Sequence, residues 1–180
     1  MPTPLGHALA GLALGPLLAW RRPFISPGWD ILLFAGLSQL PDLDFLPGLL
    51  MGRPDAFHHG PSHSLGAALL AGGLAWLYGR RRGEAWRWGL LALVLVLAHA
   101  LLDAVGRDYR PPYGVPLAWP LDGGYVMADW AFLLDVRRGP LGWDVLWHNL
   151  KAMGLELAAL GPPAALVLWL RTRRQPAPAR

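Results

Sequence analysis

Five apolar segments divide this chain, and they limit what it can fold into. They cover about residues 3–20, 29–40, 64–78, 88–105 and 150–170. Hydrophobic residues make up 54% of the chain and charged residues only 16%, against roughly 25% charged in soluble domains. We therefore predict an all-α fold, an integral membrane helical bundle of about 4–5 short helices with a long extracytoplasmic loop.

The length of the chain indicates a single domain, and its charge indicates the kind of partner. We place a single membrane-embedded domain at residues 1–170 and a basic, disordered tail at 171–180. Arginines supply nearly all the positive charge, and no aromatic residues interleave with them, so membrane lipid is a better partner than nucleic acid. The chain has no cysteine, which excludes thiolate ligands and cysteine nucleophiles.

The distribution of arginine predicts the orientation of the segments. If the segments alternate across a membrane, the loops at 21–28, 79–87 and 171–180 share one side and carry most of the arginines. The positive-inside rule makes that side cytoplasmic. The loops at 51–62 and 106–149 then lie outside. We predict a multi-pass protein of the cytoplasmic membrane, although several segments are shorter than the roughly 20 residues of a full span.

Potential metal ligands gather at the outer ends of these segments. The seven side chains form four clusters along the chain: His7, Asp42 with Asp44, His58 with His63, and His99 with Asp103. Ionisable residues in membrane segments are costly, roughly 2.5–3.5 kcal/mol for a central Asp, and are therefore functional candidates. Imidazole and carboxylate groups bind divalent metals together. The predicted orientation follows from the arginine positions alone, and it brings all four clusters to the same membrane face. This independent agreement supports a metal site.

Spacing within the clusters suits shared ligation. His99 and Asp103 are four residues apart and so lie on one face of a helix. Asp42 and Asp44 are separated by one residue and point the same way if the flanking prolines keep this segment extended. The alternatives are a histidine bonded to backbone near a helix-end aspartate, and a solvated turn. The apolar neighbours of the aspartate pair disfavour the turn.

The order of these motifs resembles the YdjM-type family of LexA-regulated, membrane-bound, predicted metal-dependent hydrolases. The resemblance spans about residues 3–120 and is carried by His7, Pro41-Asp42-Leu43-Asp44, His58-x-Gly60-x-Ser62-His63-Ser64, His99-x-x-x-Asp103 and Gly114-Val115-Pro116-Leu117-Ala118-Trp119-Pro120. It implies that the seven side chains are metal ligands. The family loop usually reads His-Arg-Gly-x-Thr-His-Ser, and here His59 stands at the Arg position, where it either replaces the Arg in part or adds a ligand. The family is more distantly similar to the zinc phospholipase C and single-strand nuclease superfamily.

Seven ligands exceed the three or four that one zinc ion takes, so we expect two or more divalent ions. Zn²⁺ suits the donor set best, and Mn²⁺ or Fe²⁺ also fit.

Three functions fit this chain. The favoured hypothesis is a hydrolase that cleaves a phosphoester, lipid-linked or small, with metal-activated water at the outer membrane face. Its candidate catalytic residues are His59 and Asp108. The second hypothesis is a non-catalytic membrane protein with a structural or regulatory metal site, of undefined oligomeric state. The third, a transporter, is disfavoured because the ionisable groups do not continue across to the arginine-rich side.

Overall fold

The computed structural model describes residues 1–20, 22–53, 56–140 and 142–174. The α-helices in these ranges are α1 (Pro4–Leu18), α2 (Pro27–Leu37), α3 (Phe45–Leu50), α4 (Leu65–Arg80), α5 (Ala85–Ala104) and α6 (Trp143–Arg174). Short 3-10 helices, Pro41–Asp44 and Pro61–His63, precede α3 and α4. The described ranges contain no β-strand, and isolated bridges occur in the long segment between α5 and α6. The all-α prediction is confirmed.

Each predicted apolar segment forms a helix, and side-chain caps fix where α1 and α4 begin. The Thr3 hydroxyl accepts a hydrogen bond from Leu5 N at 3.1 Å, and the Ser64 hydroxyl accepts one from Ala67 N at 3.1 Å. Each bond satisfies a backbone donor that has no partner inside its helix. The caps stand just before the two helices that begin at the predicted metal site.

The last helix is longer than the sequence indicates. It begins at Trp143, well before the predicted segment at 150, and continues through Pro162 and Pro163. It also extends past residue 170, so residues 171–174 of the predicted tail are helical. The rest of that tail lies outside the described residues.

The helices pack closely through small residues. α4 and α5 form a hairpin, while α1 contacts α2, α5 and α6. A Cβ atom on Gly15 would lie 2.3 Å from the Phe34 ring, and one on Gly72 would lie 3.2 Å from the carbonyl oxygen of Gly89. Such close backbone approach is characteristic of helix pairs in lipid. It brings α1 against α2 and α4 against α5.

Two helices of the described chain are long and apolar enough to cross a membrane. They are Ala85–Ala104 and Trp143–Arg173. The helices α1 and α2 are apolar but shorter, and α4 has 16 residues. Length and composition therefore support two spans, fewer than the four or five helices of the predicted membrane bundle.

The segment that carries Asp42 and Asp44 is helical, so the predicted extended conformation is wrong. It forms a 3-10 helix that runs directly into α3. Pro41 occupies the first helical position, where a missing N–H leaves no bond unmade. Pro47 is the third residue of α3, in the turn whose N–H groups lack partners inside that helix. The prolines therefore begin this helical segment and do not prevent it.

Candidate metal centre

The structure brings all seven predicted ligands into one cluster. The cluster lies where the first turns of α1 meet the two 3-10 helices and the end of α5. His7, His63, His99 and Asp103 are at most 2% exposed. Asp42 and Asp44 lie in the 3-10 helix beside them and keep side-chain exposures of 17% and 11%. Distant parts of the sequence thus form a single, mostly buried polar site.

Four side chains form what we call the inner quartet: Asp42, His63, His99 and Asp103. Nε2 of His99 lies 3.1 Å from Asp103 Oδ2 and 3.5 Å from Asp42 Oδ1. Nε2 of His63 lies 3.4 Å and 3.5 Å from the same two oxygens. Two ligands bound at about 2.1 Å to one tetrahedral zinc ion are about 3.4 Å apart. These four nitrogen–oxygen distances are therefore compatible with shared ligation, and Asp42, His63 and His99 form one of the groups that could hold an ion.

The facing atoms of the quartet lack hydrogen-bond partners within the described part of the chain. The unpartnered atoms are Asp42 Oδ1, His63 Nε2, His99 Nε2 and both carboxylate oxygens of Asp103. Leaving a buried polar atom unsatisfied costs about 1–3 kcal/mol. A divalent cation would satisfy all of them at once, and imidazole with carboxylate is a suitable donor set. The residues present therefore fit a metal ion.

Hydrogen bonds behind the quartet fix which ring nitrogen faces inward. Nδ1 of His99 donates to the carbonyl oxygen of Ser38 at 2.6 Å. Nδ1 of His63 lies 3.2 Å from Asp44 Oδ2, and Nδ1 of His58 lies 2.9 Å from Asp44 Oδ1. Such contacts orient histidine ligands and set their tautomer. Asp44 contacts two histidines from behind and belongs to none of the groups that could hold an ion, so its direct ligation stays a prediction.

His7 extends the site beyond the quartet. Its ring stacks on that of His99 with centroids 3.7 Å apart. Its Nε2 lies 3.4 Å from Asp103 Oδ1, while Asp103 Oδ2 faces the quartet. The two oxygens of Asp103 thus face two adjoining groups of possible ligands, which suits the predicted pair of ions. His58, His59 and His63 form a third group.

The charges of Asp42, Asp44 and His58 agree with ligation, whereas the neighbouring aspartates raise the pKa of His63 despite its burial. Burial by itself raises the pKa of Asp42, but His63 and His99 outweigh it and hold that pKa well below its usual range. His58 and His63 likewise outweigh burial and lower the pKa of Asp44. Burial lowers the pKa of His58 to about 4 despite the nearby Asp44. At neutral pH these carboxylates are ionised and His58 is uncharged, as metal ligands must be.

The two candidate catalytic residues contact each other. Nδ1 of His59 lies 3.1 Å from Asp108 Oδ2, and both side chains are less than a tenth exposed. Asp108 also accepts hydrogen bonds from the backbone N–H groups of Arg110 at 3.0 Å and Gly114 at 3.2 Å. His59 has a φ of 61°, a left-handed conformation that costs free energy in a residue other than glycine and is found at functional sites. The pair forms a buried His–Asp dyad beside the cluster.

A small cavity of about 50 Å³ adjoins this dyad. Its charged and polar lining includes His58, His59, Asp108, Arg110, Asp135 and Arg138. The lining thus combines two guanidinium groups with two carboxylates, and guanidinium groups are suitable partners for a phosphate.

Glu156 is a residue of the site that the sequence reasoning missed. It is the single acidic residue in the last apolar segment and is 0% exposed. Its carboxylate accepts hydrogen bonds from the backbone N–H and the hydroxyl of Thr3. It therefore ties α6 to the start of α1, one turn before His7. An acid inside an apolar segment was the available signal.

The Gly-Val-Pro-Leu-Ala-Trp-Pro motif has a structural role next to the cluster. The carbonyl oxygen of Leu117 accepts a hydrogen bond from Leu65 N at 2.9 Å, and that of Trp119 accepts one from Gly66 N at 3.0 Å. These two N–H groups belong to the first turn of α4 and have no acceptor inside the helix. The motif thus holds the start of α4, immediately after His63.

Buried imidazole and carboxylate atoms at ligand-to-ligand distances define a helical protein with a candidate divalent-metal centre. The chain belongs to the family described as YdjM inner membrane protein, whose model matches residues 1–174. The resemblance predicted from the motifs is confirmed, and the match extends beyond them to include α6. Neither the curated proteins nor the solved structures contain a match to the chain.

Proposed function

We propose that this protein is a membrane-bound, metal-dependent hydrolase that cleaves a phosphoester. The inner quartet is the observation that supports the proposal most directly. Its four facing side chains are separated by 3.1–3.5 Å and carry buried atoms with no other partner in the described chain. A purely structural polar network would pair its donors with acceptors. A bound cation would instead satisfy these unpartnered atoms.

The ligand groups assign residues to two ions. The quartet would hold one divalent ion, and His7 with the second oxygen of Asp103 would contribute to another. Zn²⁺ fits imidazole and carboxylate best, with Mn²⁺ and Fe²⁺ as alternatives. When bound, such ions polarise a phosphoryl oxygen and lower the pKa of water towards neutrality.

The His–Asp dyad supplies proton transfer. Nδ1–H of His59 donates a hydrogen bond to Asp108, which leaves Nε2 of His59 to accept or donate a proton. Nε2 has no partner among the described residues. A leaving-group oxygen bound in the adjoining cavity would lie beside this ring, with Arg110 and Arg138 near its phosphate. The dyad is thus the candidate general acid of the reaction.

The proposed membrane location gives a phosphoester two routes to the site. We place the site at the extracytoplasmic face of the cytoplasmic membrane in a multi-pass protein, because the arginine-rich loops lie at the other ends of the helices. At this depth a lipid phosphoester reaches the site from the bilayer. A small soluble phosphoester reaches it from the aqueous side.

The test is hydrolysis by protein purified in detergent and supplied with Zn²⁺ or Mn²⁺. Phosphatidic acid and bis(p-nitrophenyl) phosphate serve as first substrates, with wild type, Asp42→Ala, His99→Ala and the control Asp122→Ala, an exposed acid in the segment between α5 and α6. We expect metal-dependent activity in wild type and the control, and its loss in the two cluster variants. Unchanged activity in Asp42→Ala and His99→Ala would overturn the proposal.

A structural or regulatory metal site is the second candidate function. The near-complete burial of His7, His63, His99 and Asp103 favours it, because a catalytic ion keeps an open position for water or substrate. Under this alternative, removal of the metal lowers the melting temperature, and no phosphoester in the panel is hydrolysed. Activity that depends on His59 and Asp108 excludes it.

A further inference from the structure

A second surface, far from the metal centre, combines an apolar groove with a basic cleft. The groove, of about 290 Å³, lies between α4 and α5 and is lined by Leu69, Gly72, Gly73, Trp76, Leu90 and Leu93 among others. The cleft, of about 390 Å³, lies at the turn between the same helices and contains Arg22, Arg80, Glu84 and Arg87. Trp86 lines both. Groove and cleft are therefore continuous.

We propose that this surface binds an anionic phospholipid, with an acyl chain in the groove and the phosphate in the cleft. The charges of the cleft support an anionic headgroup. Glu84 pairs with Arg22 at 3.0 Å and with Arg87 at 2.7 Å. Three guanidinium groups face one carboxylate, so positive charge is in excess. Basic pockets beside membrane helices recognise anionic headgroups in this way.

The positions of charge and apolar wall match the layout of a lipid. The guanidinium group of Arg80 lies 4.9 Å from the centre of the Trp76 ring, which forms part of the groove. A headgroup on Arg80 would thus place its first methylene groups against Trp76. Trp86, at the junction, is 80% exposed, and tryptophan concentrates at headgroup depth. The cleft also lies at the arginine-rich end of the bundle, which the positive-inside rule assigns to the cytoplasmic leaflet.

The groove stays open at Gly73, and close packing among the described residues does not require a glycine at this position. A Cβ atom on Gly72 would contact Leu93 at 3.0 Å, whereas one on Gly73 would meet nothing within 4 Å. A second copy of this chain is a poorer occupant than lipid. In a symmetric contact across this groove, the arginines of both copies would approach each other.

The test measures lipid binding by native mass spectrometry on detergent-purified protein titrated with phosphatidylglycerol or phosphatidylcholine. We expect wild type to prefer phosphatidylglycerol, and Arg22→Gln and Arg80→Gln each to lower its affinity about five-fold, because each arginine contributes to headgroup attraction. Gly73→Leu should fill the groove and weaken both lipids. Gly154→Leu is the matched control, since its Cβ also meets nothing within 4 Å, and it should bind as wild type does.

Two results would overturn this inference. One is equal binding of the two lipids by wild type. The other is wild-type lipid binding in Gly73→Leu, and a change of that variant from dimer to monomer on size exclusion would then assign the groove to a second copy. Neither result bears on the metal centre, so the hydrolase proposal is tested separately.

Discussion

Nδ1 of His99 donates a hydrogen bond to the carbonyl oxygen of Ser38 at 2.6 Å. In a neutral imidazole, this bond leaves Nε2 of His99 as a bare acceptor, 3.1 Å from Asp103 Oδ2. Two acceptors repel at that distance unless a proton or a metal ion lies between them. Ser38, the C-terminal cap of α2, thus orients His99 on α5 for ligation.

The dyad makes a prediction that separates catalysis from metal binding. Asp108→Asn and His59→Gln should each lower the rate of phosphoester hydrolysis about 100-fold, because the proton donor is lost. Asp108→Asn should keep the wild-type metal content, since Asp108 belongs to none of the groups of possible metal ligands among the described residues. The measurements are initial rates across pH and metal content on the same samples.

Asp122→Asn is the control for the dyad, because Asp122 is an exposed acid on the same segment between α5 and α6. It should retain both activity and the pH profile of the wild type. A wild-type rate and pH profile in Asp108→Asn would remove the dyad from the mechanism.

We predict that the contact of Glu156 with Thr3 stabilises the packing of α6 against α1. Glu156→Leu leaves the N–H and hydroxyl of Thr3 without their acceptor, and each buried unpaired donor costs about 1–3 kcal/mol. The melting temperature in detergent should fall clearly. The neighbouring Leu157→Ala, at a position 55% exposed, should change it little. Equal melting temperatures for Glu156→Leu and wild type would contradict this role.

The sequence predicts the helices better than the contacts between them. Apolar length and caps such as Thr3 are local properties, so the five segments and the starts of α1 and α4 can be inferred from the chain, whereas α6 begins at Trp143, before the segment predicted from residue 150. The pairing of His59 with Asp108 depends on how two loops meet, and each residue could be named only as a separate candidate. The Ser38 carbonyl is invisible in sequence, because every residue has one.

Two local errors have physical reasons. The prolines around Asp42 and Asp44 predict an extended segment, but the segment is helical because proline is well tolerated in a first turn. Glu156 is the single acid in the segment 150–170. The rule that an ionisable residue in an apolar membrane segment is a functional candidate also selects it. Its partner on α1 could still not be known without the packing of α6.

A buried ion pair at the other end of the bundle predicts an order of effects. Arg171 contacts Asp30 at 2.6 Å, and Asp30 also accepts hydrogen bonds from the backbone of Phe24 and Ile25. Removing one partner of a buried pair costs about 3–5 kcal/mol. Asp30→Leu should destabilise more than Arg171→Met, because it leaves three donor groups unpaired. Denaturation of both variants and the double variant measures the coupling; additive effects would contradict the pair.

The close contact between α1 and α2 predicts opposite effects for two glycines. Gly15→Ala places a Cβ atom against the Phe34 ring, and such overpacking costs about 1–3 kcal/mol. Gly36→Ala meets nothing within 4 Å, so the higher helix propensity of alanine should leave stability equal or slightly raised. Thermal denaturation of the two variants compares them. A Gly15→Ala protein as stable as Gly36→Ala would show that α1 and α2 do not pack this closely.

Metal content per chain tests the central claim most directly. The samples are wild type, the control Asp122→Ala and the double variant Asp42→Ala/His99→Ala, all purified in detergent, resupplied with Zn²⁺ at neutral pH and checked for folding. We predict about two or more equivalents in wild type and the control, and loss of that metal in the folded double variant. No bound metal in the wild type after resupply would contradict the account and leave the seven residues as a polar network that joins the helices.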